Sequence, residues 1–127
     1  MPAVPKPKRS LTKSKKSKCV ELSGDIVTHL GFCLRCGKSS VEDTIDPHHI
    51  VPGRHDRLVA RTDAQVPFCR HLCHRWAHDF PDAFKEWIDI LHPGRRQMLE
   101  AVARVQGKVD WDIVLATLQE EWAIVGG

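Results

Sequence analysis

Apolar positions in the second half of the chain recur with a helical period. Phe84, Trp87, Ile88 and Leu91 fall at i, i+3, i+4 and i+7, which is the spacing of one buried helix face. His92-Pro93-Gly94 ends that helix. Met98, Leu99, Val102 and Val105 predict a second helix over 95–106, turned inward on these four side chains and closed by Gly107. Asp110 is placed to cap a third, in which Trp111, Val114, Leu115, Leu118 and Trp122 again follow the 3.6-residue period.

Upstream the period changes. Thr44 to Val51 (TIDPHHIV) carries β-branched residues and stops at Pro52-Gly53, so the pattern predicts a strand over 48–51. Gly53 to Ala64 is polar and arginine-rich and reads as a loop, and Gln65 to Phe68 as a short returning strand that Pro67 confines to a sheet edge. Leu72 to His78 predicts a short helix that Asp79 to Pro81 interrupts or redirects. Cys33 to Gly37 (CLRCG) is a tight knuckle turn, with Gly37 free to take positive φ. The fold class is α+β: a small two-strand and helix core followed by two to three C-terminal helices. No internal repeat is present.

Charge divides the chain. Residues 1–18 hold seven Lys/Arg, no acid, and Pro2, Pro5 and Pro7 among Lys and Ser. Too few apolar groups are present there to offset the entropy of ordering, so a disordered basic arm is expected over 1–18. Residues 19–127 then form a single domain, with 12 basic against 16 acidic side chains, a net of −4 within a chain of formal charge +3. Such a body cannot attract phosphate by net charge and must rely on the arm, bound metal or local patches. Lys13, Lys15 and Lys16 in the arm, and Arg54, Arg57, Arg61, Arg70 and Arg75 in the body, are the candidate contacts. No stretch reaches the roughly 20 apolar residues of a membrane span, and no apolar segment follows the N-terminal lysines, so a soluble cytoplasmic protein is expected.

Four of the five cysteines form two close pairs, Cys33/Cys36 and Cys69/Cys73, with 32 residues between the pairs. In a reducing compartment such pairs more often mean metal than disulfide. Each pair can bite one ion, and four thiolates would make a closed structural zinc site clamping two poorly packed halves. Ordinary buried cysteines and a redox dithiol are the alternatives. Cys19 stands apart from both pairs and has no part in this site.

Four of the eight histidines occur as His48-His49 and His74-x3-His78. Residues four apart share a helix face, so His74 and His78 can chelate one ion, while Trp76 points the other way and can anchor that helix. Adjacent strand residues diverge, so one of His48 and His49 can bind the ion while the other handles a proton. His29, His55 and His92 read as ordinary surface or hydrogen-bonded residues; His71 lies inside the second cysteine pair.

With these residues set out, PHHIVPG followed by VPFCRHLCHRWAH resembles the motif of HNH (ββα-metal) endonucleases, over about residues 33–80. The resemblance implies His48 as metal ligand, His49 as general base, and His74 and His78 as the helix ligands. It also implies hydrolysis of nucleic-acid, chiefly DNA, phosphodiesters with a Mg²⁺, Mn²⁺, Ni²⁺ or Zn²⁺ ion, leaving 5′-phosphate and 3′-hydroxyl ends. The flanking cysteine pairs are similar to those of zinc-stabilised phage and restriction members. The HHIV and VPFCR phrases with the basic arm resemble phage recombination-enhancement nucleases, which implies a recombinase as partner. The chain departs from the family in having no Asn; Asp63 or Gln65 is expected to take over the orienting of His49. Two rival readings are a zinc finger, because Cys33, Cys36, His74 and His78 also spell CxxC…HxxxH although 37 residues separate the halves, and a catalytically inactive adaptor.

Overall fold

The computed structural model describes residues 14–126. Helix α1 spans Lys15–Thr28, and Ser14 caps it by accepting from the Ser17 amide at 3.1 Å. A hairpin of β1 (Ile45–His49) and β2 (Gln65–Cys69) follows. A π-helical turn, Arg70–His74, leads into the short α2, Arg75–Asp79. Three helices complete the described chain: α3 (Pro81–Leu91), α4 (Arg95–Ala103) and α5 (Trp111–Ile124).

The strands pair antiparallel from Ile45 opposite Cys69 to His49 opposite Gln65. Pro47 faces Pro67. Because the Arg70 amide bonds Thr44 O and the Ile50 amide bonds Ala64 O, both at 2.8 Å, the ladder bonds fall on even-numbered residues of β1. The prolines therefore occupy a pair that needs no N–H. That is why the strand runs through Pro47 and starts earlier than the expected 48–51.

Each face of the hairpin packs against different helices. Asp46, His48, Val66 and Phe68 share the face toward α2 and α3, where Phe68, Phe84, Ile88 and Leu99 are buried. The opposite face meets α1. Gly24 lies so close to Pro47 that an added Cβ would stand 3.3 Å from the proline Cγ, and the Gln65 amide donates to Ser23 Oγ at 3.1 Å. Cys19, Ile26, Ala60 and Leu118 form a second buried cluster, supported by Trp111, Val114, Leu115 and Trp122. Thus α1 joins the hairpin to α5.

Three boundaries correct the sequence expectations. Lys15, Lys16 and Lys18 lie in α1, and Cys19 is fully buried, so order begins before the end of the expected arm; residues 1–13, Lys13 among them, lie outside the described residues. Helix α4 stops at Ala103 rather than 106, and Val105 and Met98 are exposed. Arg57 fixes the chain beyond α4, donating to Val105 O at 3.0 Å and Gln106 O at 2.9 Å. The helix expected over 72–78 is split between the π-turn and α2. Asp110 does cap α5, accepting from the Asp112 and Ile113 amides. Among the described residues no helix is long and apolar enough to cross a membrane.

Candidate metal centres

The knuckle that carries Cys33 and Cys36 is closed by an isolated bridge between Phe32 and Ser39 and by a Gly37 amide to Cys33 O bond of 3.0 Å. Gly37 takes φ +80° there, as the sequence predicts. The Leu34 amide bonds Pro67 O at 2.8 Å, so the knuckle is held against β2. Cys69 ends β2, and its sulfur accepts from the Cys73 amide at 3.3 Å. The four sulfurs lie within 4.8 Å of one another, with Cys36 and Cys69 at 3.6 Å.

This arrangement fits a zinc ion. Bonds of about 2.3 Å in a tetrahedron place sulfurs about 3.8 Å apart. Burial pushes the Cys33 thiol up, but the backbone at Cys36, Cys69 and Arg35 outweighs it and brings the group down to about 6. Burial, with the crowding of the other thiols, pushes Cys73 up to about 12. Four sulfurs in contact cannot all ionise without a cation between them. Arg35 supplies part of that charge, with Nη1 at 3.5 Å from Cys73 Sγ and the guanidinium 3.7 Å over the Trp76 ring. The four cysteines therefore cluster and could hold a zinc ion, without either helix histidine.

The next residue after Cys73 belongs to a second cluster. The side-chain nitrogens of His48, His74 and His78 lie within 4.8 Å of one another. His48 comes from β1, stacked on Phe68 at 5.6 Å and edge-on to Phe84 at 4.8 Å. His74 closes the π-turn, and His78 lies one turn further on α2. Asp46 accepts from Arg70 through both oxygens, at 2.9 and 3.0 Å, and this holds its carboxyl below the usual range. An ionised carboxylate only accepts, so the 3.2 Å contact from His74 Nδ1 requires the hydrogen on Nδ1 and leaves the Nε2 lone pair free.

His74 Nε2 stands 3.1 Å from His78 Nε2. Two nitrogens on one ion, with bonds of about 2.1 Å, are separated by about 3.0 Å in an octahedral site and about 3.4 Å in a tetrahedral one. A single N–H···N hydrogen bond is as long as the first of these. Burial, and then the neighbouring histidines, lower His48 to about 4, so its imidazole is neutral and able to ligate at neutral pH. His49 is on the opposite strand face, but at the strand end it borders the same cavity of about 340 Å³ as His48, His74 and His78. It has no hydrogen-bond partner among the described residues, and partial burial lowers its pKa.

The other expected site residues are placed differently. Asp63 is engaged by Arg61 through two bonds of 2.9 and 2.8 Å. Gln65 is buried and donates to Ser23 and to Arg61 O. Neither is hydrogen-bonded to His49, because each has a nearer partner. Of the expected cationic patch, Arg57 holds the chain after α4, Arg70 pairs with Asp46, and Arg75 with Asp79 at 3.7 Å. Lys15 pairs with Asp112, and Lys16 with Asp56. Arg54 alone of that group is exposed without a partner among the described residues. His71 joins neither cluster; its Nδ1 contacts Asp43 at 2.7 Å.

Asp46 lies outside the site residues expected from the sequence, although alternation along a strand places it on the same face as His48. No protein-family model matches the chain, and neither a curated protein nor a solved structure matches it.

Proposed function

We propose that this protein is a metal-dependent endonuclease of the HNH type, cutting DNA phosphodiesters, with a structural zinc at the four cysteines. The observation that carries the reading is the open cavity where three imidazoles converge and a fourth, His49, borders it without a partner. His48, His74 and His78 would hold a divalent ion, which supplies Lewis acidity toward a phosphate oxygen. Asp46 orients His74 by fixing its tautomer. His49, neutral at pH 7, accepts the proton of a water that attacks the phosphorus in line with the leaving 3′ oxygen. The antiparallel hairpin followed by a histidine-bearing helix supports the same reading, as does the resemblance of residues 33–80 to that family.

Plasmid and single-stranded DNA incubated with Mg²⁺, Mn²⁺ or Ni²⁺, beside a His49→Ala control, tests it. Cleavage by the parent and not by the variant is the expected result. No cleavage with any of the three ions, or equal cleavage by both proteins, overturns it and leaves a metal-binding adaptor.

A further inference from the structure

The histidine cavity has an unusual charge pattern. Its lining includes four histidines and Lys85, and no Asp or Glu. Lys85 lies on α3 directly after Phe84, whose ring packs on His48, and one turn beyond Pro81, which also lines the cavity. It is half-buried, yet it makes no ion pair or hydrogen bond among the described residues. Three nearby cations are matched, Arg70 by Asp46, Arg75 by Asp79, and Arg96 by Asp89 and Glu100, whereas Arg54 and Arg95 have no such partner among the described residues but do not line the cavity. Lys85 brings a positive charge to the cavity wall with no carboxylate there to pair it, so an incoming anion can become its partner. With no acid lining the cavity, its fixed charge favours anions.

We infer that Lys85 receives a substrate phosphodiester in the histidine cavity, an inference that rests on the nuclease reading above. The ammonium contacts a non-bridging oxygen of the phosphate and balances charge that grows during attack. Such a contact is electrostatic and indifferent to base sequence. The role belongs to the lysine charge, not to its stem, and the metal ligands are untouched by its loss.

The full-length protein, Lys85→Gln and Lys85→Arg separate these features, with the thermal midpoint of each confirming that it folds. The readouts are kcat/KM for Mn²⁺-dependent cleavage, the Mn²⁺ dissociation constant, and the salt dependence of binding to a labelled single-stranded oligonucleotide without added Mn²⁺. Lys85→Gln is expected to lower kcat/KM about 10- to 100-fold and to reduce the log–log salt slope by about 0.7, one phosphate contact on a single strand. Lys85→Arg should recover most of both, and Lys85→Gln should bind Mn²⁺ no more weakly than the parent, since losing a neighbouring positive charge can only favour a cation. If the parent cleaves and either kcat/KM or the salt slope is unchanged in Lys85→Gln, the Lys85 inference is wrong while the nuclease reading stands. A weakened Mn²⁺ affinity in Lys85→Gln also overturns it. If the parent does not cleave, the nuclease reading falls and the salt slope alone decides Lys85, a reduced slope supporting it and an unchanged slope overturning it.

Discussion

Two ligand clusters share one π-turn, Cys73 serving the first and His74 the second, and they differ in closure. At the sulfur cluster Cys33, Cys69 and Cys73 are at most 3 % exposed and only Cys36 is exposed, while the Cys73 amide bonds Cys69 Sγ and Arg35 contacts Cys73 Sγ. At the nitrogen cluster His78 is exposed, His48 and His74 are half-buried, and the site opens on a cavity. Four ligands without an open position suit a structural ion, whereas three ligands with access suit one that takes substrate or water. The π-turn lets consecutive residues reach opposite sites, a use of irregular helix common at functional positions.

The largest effect that could break this contrast is on folding. Cys69→Ser should abolish the cooperative thermal transition of the 33–78 core, since the binding energy of a structural zinc is folding energy. A circular-dichroism melt like the parent's would mean that the sulfurs hold nothing essential. At the open site His49→Ala should instead retain the fold and the exchangeable ion while losing about 10²- to 10⁴-fold in cleavage rate. A base acts when neutral, and burial lowers His49. The parent's activity should therefore rise with pH through a midpoint below about 6.5 and remain flat above it; a midpoint above that value would assign the base to another group.

A smaller effect is expected one contact away from the three imidazoles. Asp46→Asn keeps the shape but no longer fixes the His74 tautomer, and should weaken Mn²⁺ or Ni²⁺ binding about 10- to 100-fold in a titration, with zinc content unaltered. The smallest effect belongs to neither cluster. Arg57→Ala removes two bonds to the carbonyls after α4 and should cost about 1 kcal/mol in a denaturant melt. It should leave both metals in place, and loss of either would show that the clusters depend on the distant loop.

The residues differ in how far the sequence disclosed them. Helices α3 and α5 were legible because their apolar faces repeat over three or more turns, and Asp110 marks the start of α5. Helix α1 was not, since its buried face is Cys19, Ser23 and Ile26 and only one of these is strongly apolar. The two pairs of cysteines and the four histidines were legible from spacing, because chelation demands that spacing whatever the fold. Asp63 and Gln65 misled because proximity along the chain says nothing about competing partners; Arg61 and Ser23 take them instead. Lys85 could not have been found from sequence, for only the packing of α3 against the hairpin brings it to the histidines.

The contrast between a closed and an open site is tested most directly by metal content. The parent and His74→Ala, purified with zinc, are dialysed against excess Ni²⁺ and then passed through a desalting column before elemental analysis. The parent should hold about one zinc and one nickel per chain, and His74→Ala one zinc and no nickel. A single metal per chain in the parent, or nickel retained equally by His74→Ala, would contradict the division of the four sulfurs and three imidazoles into two separate sites.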